Sequence, residues 1–408
     1  MTVPSSSKTA LIHGPPLEPG KSGPVLLLVD VQREVTRPVR DFVAGRLSRL
    51  VFRHAQPPVQ LPQPASVSGI LKHHVRGKNS SGVSIGEIAY ATSLPMSFFM
   101  LRGNGMDGGK LAFRRKKQIT KNLDNRIRAE FEMLDETVSR IRSMAEIADR
   151  ASFWLDEAAP TTDPQSLGVR RIAANVRSLL GLAETGPVRN VIRSVERKGI
   201  VVAPLSVDVG DSVSDGITYP GQALIGYFPK DKSGDRIRFT IAHELGHLVL
   251  HRYRRPSDET LMEREANEFA GEFLFPEADA RAVLAPDMMV EDYRYVKSGW
   301  GISIAASIRR AFDLGLIDGG KYKSLYVRMV QRRWLKHEPV RVEAEHPILL
   351  SQMFAGAFDG LKDPAHPVVP RAGIEGFLGV PFELANEWCD NGLTEKIDEW
   401  AALDSREW

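Results

Sequence analysis

Two histidines and a glutamate in the stretch TIAHELGHLVLHRYRRP (240–256) have the spacing best suited to metal chemistry in this chain. On an α-helix, His243 and His247 project from one face, about 6 Å apart along the axis. Two imidazole nitrogens placed in this way can bind one zinc ion at about 2.0–2.1 Å. Glu244 points about 100° away from His243, so it is a poor ligand for the same ion but can reach a water molecule beside it. The pattern predicts a hydrolytic zinc site with Glu244 as its catalytic acid/base.

A third protein ligand separates two classes of zinc peptidase. One class requires the pattern HExxHxxGxxH, which Leu250 and Tyr253 exclude here. The other class takes a glutamate from a second helix, and the apolar spacing of LMEREANEFAGEFLFP (261–276) predicts such a helix. Its Glu263 is the predicted third ligand of a single Zn²⁺ ion.

Further polar residues lie near these ligands in the sequence. Asn267 stands one turn after Glu263, so we expect it to hydrogen-bond a ligating histidine and orient it. Glu265 competes as a ligand, but it lies about 200° around the helix from Glu263 and is expected to face away. His251 lies about 12 Å along the axis from His243, too far for the same ion, and is expected near the carbonyl groups at the helix end. Three tyrosines are candidate donors to a transition-state oxyanion, although most tyrosines only pack: Tyr219, Tyr227 and Tyr253.

The segment before the histidine motif reads as a small α/β unit. Apolar residues from Val188 to Val195 predict one helix face, and Gly199 is placed to end that helix. IVVAP (200–204) predicts a strand, and ITYPGQALIGYF (217–228) predicts two short strands joined by a turn. Asp235 is the predicted N-cap of the helix that carries the histidines.

The front of the chain is basic and contains a long predicted helix. Residues 1–150 hold 23 Lys and Arg against 13 Asp and Glu, a balance of +10, whereas the remainder has 31 against 38, a balance of −7. This asymmetry is compatible with a polyanion partner or with a solvated helix face, and the cluster RRKK (114–117) allows the same two interpretations. A helical pattern follows the cluster, with these apolar positions on one face: Ile127, Phe131, Leu134, Val138 and Ile141.

Composition limits the class of protein. A chain of 408 residues with 42% apolar content suits two or three domains with packed cores. The single Cys389 excludes a disulfide framework and a cysteine-based zinc module. The apolar runs are too short to span a membrane, and residues 24–31 lack the flanks of a secretory signal. We therefore predict a cytoplasmic protein without a membrane partner.

Three segments resemble the ImmA/IrrE family of zinc metallopeptidases: RFTIAHELGHLVLHR (238–252), EREANEFAGEFLFP (263–276) and the stretch 300–339. The resemblance covers about 180–340, with the motifs in order and at suitable spacing. It implies zinc ligands His243, His247 and Glu263, with Glu244 as catalytic acid/base. It also implies a protein substrate, typically a transcriptional repressor whose cleavage relieves repression.

RGKNSSGVSIGEIAYATSLPMSFF (76–99) is similar to the closing helices of a Cro/C1 (Xre)-type helix-turn-helix, and GGKLAFRRKKQ (108–118) resembles its connector. This likeness implies a candidate DNA contact through residues 76–128. The expected apolar helix, Gly turn and recognition helix are not found upstream of Arg76. A second helix-turn-helix-like pair in 373–392 is more typical of a packing element.

Together these patterns predict an α+β, mainly helical, multidomain chain with a zincin-like, gluzincin-type peptidase domain that has a small β-sheet and an HExxH helix. The predicted parts are a poorly defined arm or divergent helical segment at 1–75, a helix-turn-helix-like remnant with a long basic connector helix at 76–180, the peptidase domain at 181–340 and a small helical appendage at 341–408.

The predicted function is a zinc-dependent endopeptidase that cleaves a transcriptional repressor or another regulatory protein. The alternative is a DNA-binding regulator or toxin–antitoxin component whose metal site is structural or sensory. The basic front half and the helix-turn-helix likeness are the features that favour this alternative.

Overall fold

A computed structural model describes Ala89, residues 94–100, residues 120–358 except 163, 165, 211–214, 220, 255, 257 and 336, and residues 367–396. The helices are α1 Met96–Met100, α2 Lys121–Met144, α3 Arg150–Ala158, α4 Ser166–Leu179, α5 Val191–Glu196, α6 Gly234–Leu250, α7 Glu259–Leu274, α8 Glu277–Val283, α9 Tyr293–Trp300, α10 Ile304–Asp313, α11 Gly319–Gln331, α12 Leu349–Ala357, α13 Arg371–Gly373, which continues as a π-helical turn Ile374–Leu378, and α14 Phe382–Trp388. The strands are β1 Val201–Pro204, β2 Gly216–Thr218, β3 Leu224–Tyr227, β4 Val368–Val369 and β5 Thr394–Glu395. No helix in these ranges is long and apolar enough to cross a membrane.

A three-stranded sheet with the order β1-β3-β2 is the centre of the α/β unit. β1 runs parallel to β3 and β2 antiparallel to it, with Val201 opposite Leu224 and Ile217 opposite Gly226. The strand predicted at 200–204 and the two short strands predicted at 217–228 are therefore confirmed. The mainly helical α+β fold class is confirmed as well.

Both faces of this sheet are buried. Successive side chains of a strand point to opposite faces, and here Val202 and Ile225 join the core around α6 and α7. Val201 and Leu224 join a second core on the other face. Cover on both faces explains why these short strands are apolar throughout instead of alternating with polar residues.

The second core is built from both ends of the described chain. The five apolar positions predicted on the long helix lie on α2 and are all buried: Ile127, Phe131, Leu134, Val138 and Ile141. They share their core with α12, the π-helical turn and α14, so the pair predicted in 373–392 serves as a packing element. Glu130 of α2 accepts hydrogen bonds from the backbone N–H of Ser206 at 2.8 Å and of Val207 at 3.0 Å, and from the Trp388 indole at 3.1 Å. One buried carboxylate thus joins α2, the chain after β1 and α14.

The helix with the two histidines, α6, begins two residues earlier than the sequence predicts. Ser233 is its N-cap residue, and Asp235 lies inside the first turn, so the predicted N-cap at Asp235 is wrong. Asp235 is buried and accepts from the Lys297 ammonium at 3.1 Å. A carboxylate in the first turn still stabilises the helix, because it lies near the positive end of the helix dipole.

Several predictions concern residues that the structure does not describe. The arm at 1–75 and the basic cluster at 114–117 lie outside the described residues. The helix-turn-helix segment 76–99 lies outside them except for Ala89 and residues 94–99.

Candidate metal centre

α6 and α7 bring together the three predicted ligands His243, His247 and Glu263. The Nε2 atoms of the two histidines are 3.1 Å apart. Each of these nitrogens lies 3.5 Å from a carboxylate oxygen of Glu263. Within the described part of the chain, these residues form a group whose ligand atoms all lie within 4.8 Å of one another.

These separations fit a single ion. Ligand atoms at about 2.0–2.1 Å from a tetrahedral metal stand roughly 3.3–3.4 Å from one another. The separations of 3.1 and 3.5 Å found here lie on either side of that value. Two imidazoles and one carboxylate are also a donor set that a divalent transition metal accepts. The residues present therefore fit the metal that the motif predicts.

Gly246 allows the two helices to approach closely enough to form this group. A Cβ atom at position 246 would lie 3.1 Å from the ring of Phe269 and 3.3 Å from the Cα atom of Ala266. Because both contacts are tighter than ordinary packing distances, a side chain there would push α7 outward. Glu263 lies on α7, so the separation of the helices sets its distance to the histidines.

Glu244 is buried beside the ligand group and does not belong to it. Its neighbour is Gly216 at the start of β2, where an added Cβ atom would lie 2.7 Å from Glu244 Cγ, 2.8 Å from its Oε1 and 2.8 Å from Thr240 Cγ2. Glycine in a strand often marks a close approach of the backbone to another group. Here β2 lies directly against the predicted catalytic carboxylate.

The electrostatics of the site separate the two glutamates. Burial, then the charge of Glu263 and then that of Asp215, raise the pKa of Glu244 well above its usual range. Burial alone would raise the pKa of Glu263, but its contacts with His243 and His247 bring it below the usual value. Burial is also the largest influence on His247, and it lowers the pKa of this imidazole. The site therefore favours a neutral His247 and an ionised Glu263, which are the protonation states that bind metals.

The expected contact between Asn267 and a ligating histidine is wrong. The Asn267 amide donates at 2.7 Å to the backbone carbonyl of Glu263, one turn earlier on the same helix. Asparagine side chains readily form such local bonds to the backbone. His247 is instead contacted by His251, whose Nδ1 atom lies 2.9 Å from Nδ1 of His247.

Glu265 does not face away as predicted. It is buried, it lies 3.1 Å from Nε2 of His251, and both of its oxygens accept from the Arg254 guanidinium, at 2.8 and 2.9 Å. Burial, then His247 and then Arg254, lower the pKa of His251 to about 3. The spacing of His251, four residues after His247, was the sequence signal for this contact, because such residues are neighbours on a helix.

The three tyrosines considered as oxyanion donors have different environments. Tyr227 is buried in the core around α6, and Tyr219 packs against the second core. Tyr253 is exposed and donates a hydrogen bond to Asp156. These contacts give Tyr227 and Tyr219 packing roles and place the Tyr253 hydroxyl on a surface carboxylate.

An open cleft of about 820 Å³ begins beside the site. Its lining includes Thr240, one turn before Glu244 on α6, and Asp215, the residue before Gly216. Residues of α10 and of the segment 337–344 also belong to this lining. Clefts of this size suit a ligand larger than a single side chain.

The comparison with known families agrees with this geometry. Residues 195–312 match the family model of the IrrE N-terminal-like domain, a peptidase family. The match includes β1 to β3 and the whole of α6 and α7. No match to an individual curated protein was found.

Proposed function

We propose, from the match of residues 195–312 to the IrrE N-terminal-like peptidase domain, that the chain is a zinc-dependent endopeptidase of the ImmA/IrrE type. Its proposed substrate is a DNA-binding transcriptional repressor or another regulatory protein. The observation that carries the proposal is the convergence of His243, His247 and Glu263 within 3.1–3.5 Å of one another, with Glu244 buried beside them.

Zinc is the proposed ion because two imidazoles and one carboxylate form a ligand set typical of catalytic zinc sites. When bound, zinc supplies Lewis acidity that polarises the scissile carbonyl and makes water a better nucleophile at neutral pH. The chain itself supplies the ligands, a dry environment and the proton acceptor.

Glu244 performs the proton transfers in this proposal. Its carboxylate takes a proton from the attacking water and then passes that proton to the nitrogen of the departing amine. Gly216 lies against the Glu244 side chain and leaves no room for a Cβ atom between them. Burial raises the pKa of Glu244, which makes it a stronger base than an exposed glutamate.

An extended peptide is the proposed form of the substrate. β2 is at one edge of the sheet in the order β1-β3-β2, and its first residue touches Glu244. A peptide that pairs with this edge as an added strand would lie beside the proton acceptor. The adjoining cleft provides room for further residues of the same peptide.

A regulatory protein is proposed as the substrate because the family resemblance implies one. The charge of residues 1–150, with 23 Lys and Arg against 13 Asp and Glu, supports a partner close to DNA. A basic segment concentrates the chain near polyanions and hence near proteins bound to them.

The proposal is tested by trapping with a Glu244→Gln variant. We expect this variant to retain zinc, to cleave nothing and to hold its substrate long enough for identification by mass spectrometry from an extract of the native host. The exposed Glu184 provides the matched control, and Glu184→Gln should retain cleavage. Glu263→Ala should lose zinc affinity as well as activity.

The outcomes separate the candidate functions. A DNA-binding repressor that is captured by Glu244→Gln and cleaved by the unmodified chain supports the proposal. Full activity of Glu244→Gln would contradict the mechanism. Capture of nucleic acid alone, without cleavage of any protein, would favour the DNA-binding regulator with a structural or sensory metal site.

A further inference from the structure

A buried row of polar side chains continues from the ligand group away from Glu263. His247 and His251 are 2.9 Å apart through their Nδ1 atoms, and Nε2 of His251 lies 3.1 Å from Glu265. Arg254 closes the row with two hydrogen bonds to Glu265, at 2.8 and 2.9 Å. We call His251, Glu265 and Arg254 the relay. All three of its residues are buried.

The contacts assign the protons in this row. Nε2 of His247 faces His243 and Glu263, so this nitrogen offers its lone pair to a metal. The proton of a neutral His247 is then on Nδ1, which must donate to His251. Nδ1 of His251 accepts this bond, so the proton of His251 is on Nε2 and is donated to the Glu265 carboxylate.

Each member of the relay restricts the next. Arg254 holds the Glu265 carboxylate by both oxygens, which fixes the plane of the carboxylate. Glu265 selects the tautomer of His251, and His251 in turn accepts only from the His247 tautomer that can bind a metal through Nε2. Metal-binding histidines commonly donate their second ring N–H to an acceptor that orients the ring.

We propose that His251, Glu265 and Arg254 are positioning residues that fix the tautomer and ring orientation of His247 and thereby set the metal affinity of the site. This inference rests on the metal centre of the proposed function. In this inference His251, held by the Glu265 carboxylate, orients the His247 ring. Asn267 does not fill this role.

The test is zinc affinity, measured by competition with a chromogenic chelator. His251→Phe keeps a ring but removes both nitrogens, and we expect zinc binding to weaken about 10- to 100-fold. His251→Gln retains an acceptor for His247 and a donor for Glu265, so it should restore most of the affinity. Two controls should bind zinc like the unmodified chain: Asn267→Ala on α7, and His346→Phe, which makes the same substitution at an exposed histidine paired with Asp390.

A spectroscopic measurement separates positioning from a general loss of stability. In the cobalt-substituted protein, the visible absorption bands report the ligand field, so His251→Phe should shift them while His251→Gln and Asn267→Ala should not. If His251→Phe fails to fold, Glu265→Gln carries the same test, because it keeps its size but weakens the acceptor, and we expect a several-fold loss of affinity.

The results distinguish this inference from the proposed function. Unchanged zinc affinity and unchanged cobalt bands in His251→Phe or Glu265→Gln would overturn the role of the relay while leaving the metal centre intact. A failure of the unmodified chain to bind zinc or cobalt would overturn the metal centre, and the role of the relay with it.

Discussion

Replacing Gly216 by alanine should disable the proposed peptidase without removing its metal. The added Cβ atom would lie 2.7 Å from Glu244 Cγ and 2.8 Å from Thr240 Cγ2. Carbon atoms in packed interiors are about 3.5–4.0 Å apart, so the overlap is roughly 1 Å. Both neighbours are side chains on α6, which also carries His243 and His247, and a side chain changes rotamer more easily than a packed helix moves. We therefore expect Glu244 to move and the ligands to remain in place.

The size of the effect follows from the displacement. A shift of about 1 Å in a catalytic group can cost about 100-fold in rate. Overpacking of a buried position also lowers the free energy of unfolding by about 1–3 kcal/mol. Zinc affinity should change little, because the three atoms nearest to the added Cβ belong to Glu244 and Thr240 and none belongs to His243, His247 or Glu263.

The assay compares cleavage of the trapped substrate with zinc content in the same preparations. Gly299→Ala is the matched control, because an added Cβ atom there meets nothing within 4 Å and the position is exposed on α9. The control should cleave normally and be slightly more stable, since alanine favours a helix over glycine. Normal cleavage by Gly216→Ala, or loss of its zinc, would refute the reasoning.

Three further predictions concern stability. Glu130→Gln should lower the free energy of unfolding in urea by about 2–3 kcal/mol, because a buried carboxylate that satisfies three donors is lost. Glu136→Gln, the control on the same helix, should change the free energy of unfolding by less than about 1 kcal/mol. Equal effects of the two substitutions would contradict the role assigned to Glu130. Burial and the charge of Glu136 raise the pKa of Asp135 from 3.8 to about 6, so the native chain holds this proton more tightly than the unfolded chain. The stability that protonated Asp135 contributes is complete below about pH 4 and is lost as the pH rises to about 6, by up to about 3 kcal/mol. Asp135→Asn should remove this loss when urea unfolding is measured between pH 4 and 7. An unchanged pH profile in Asp135→Asn would show that Asp135 titrates normally. A chelator should lower the Tm of the unmodified chain but not that of His243→Ala. An ion at a thousand times its Kd raises the free energy of unfolding by about 4 kcal/mol, and the chelator removes this contribution. Equal shifts of Tm in both proteins would argue against metal binding at His243.

Local spacing is sufficient to predict that His243, His247 and Glu263 come together. His243 and His247 share a face because they are four residues apart, and Glu263 lies on a helix that its apolar pattern identifies. The same reasoning located the three strands of the sheet and the buried face of α2. Each of these features depends on periodicity within one segment of the chain.

Positions around a single helix did not show how two helices face each other. Glu263 and Glu265 are about 200° apart on α7, a separation that predicts that only one of them faces the site. The buried face of α7 contains Ala266 and Phe269 and lies between the two glutamates, so they flank it from opposite sides. Glu263 therefore reaches the ligand group, while Glu265 reaches His251.

Spacing alone places His243, His247 and Glu244 on one helix and Glu263 on a second, because these positions follow from the 3.6-residue period of an α-helix. Packing between distant segments places Gly216 against Glu244 and makes His251, rather than Asn267, the residue in contact with His247. The same packing brings α2 and α14 into one core on the far face of the sheet. These contacts join segments far apart in the chain, and their partners are set by how the helices and the sheet pack, which no local period encodes.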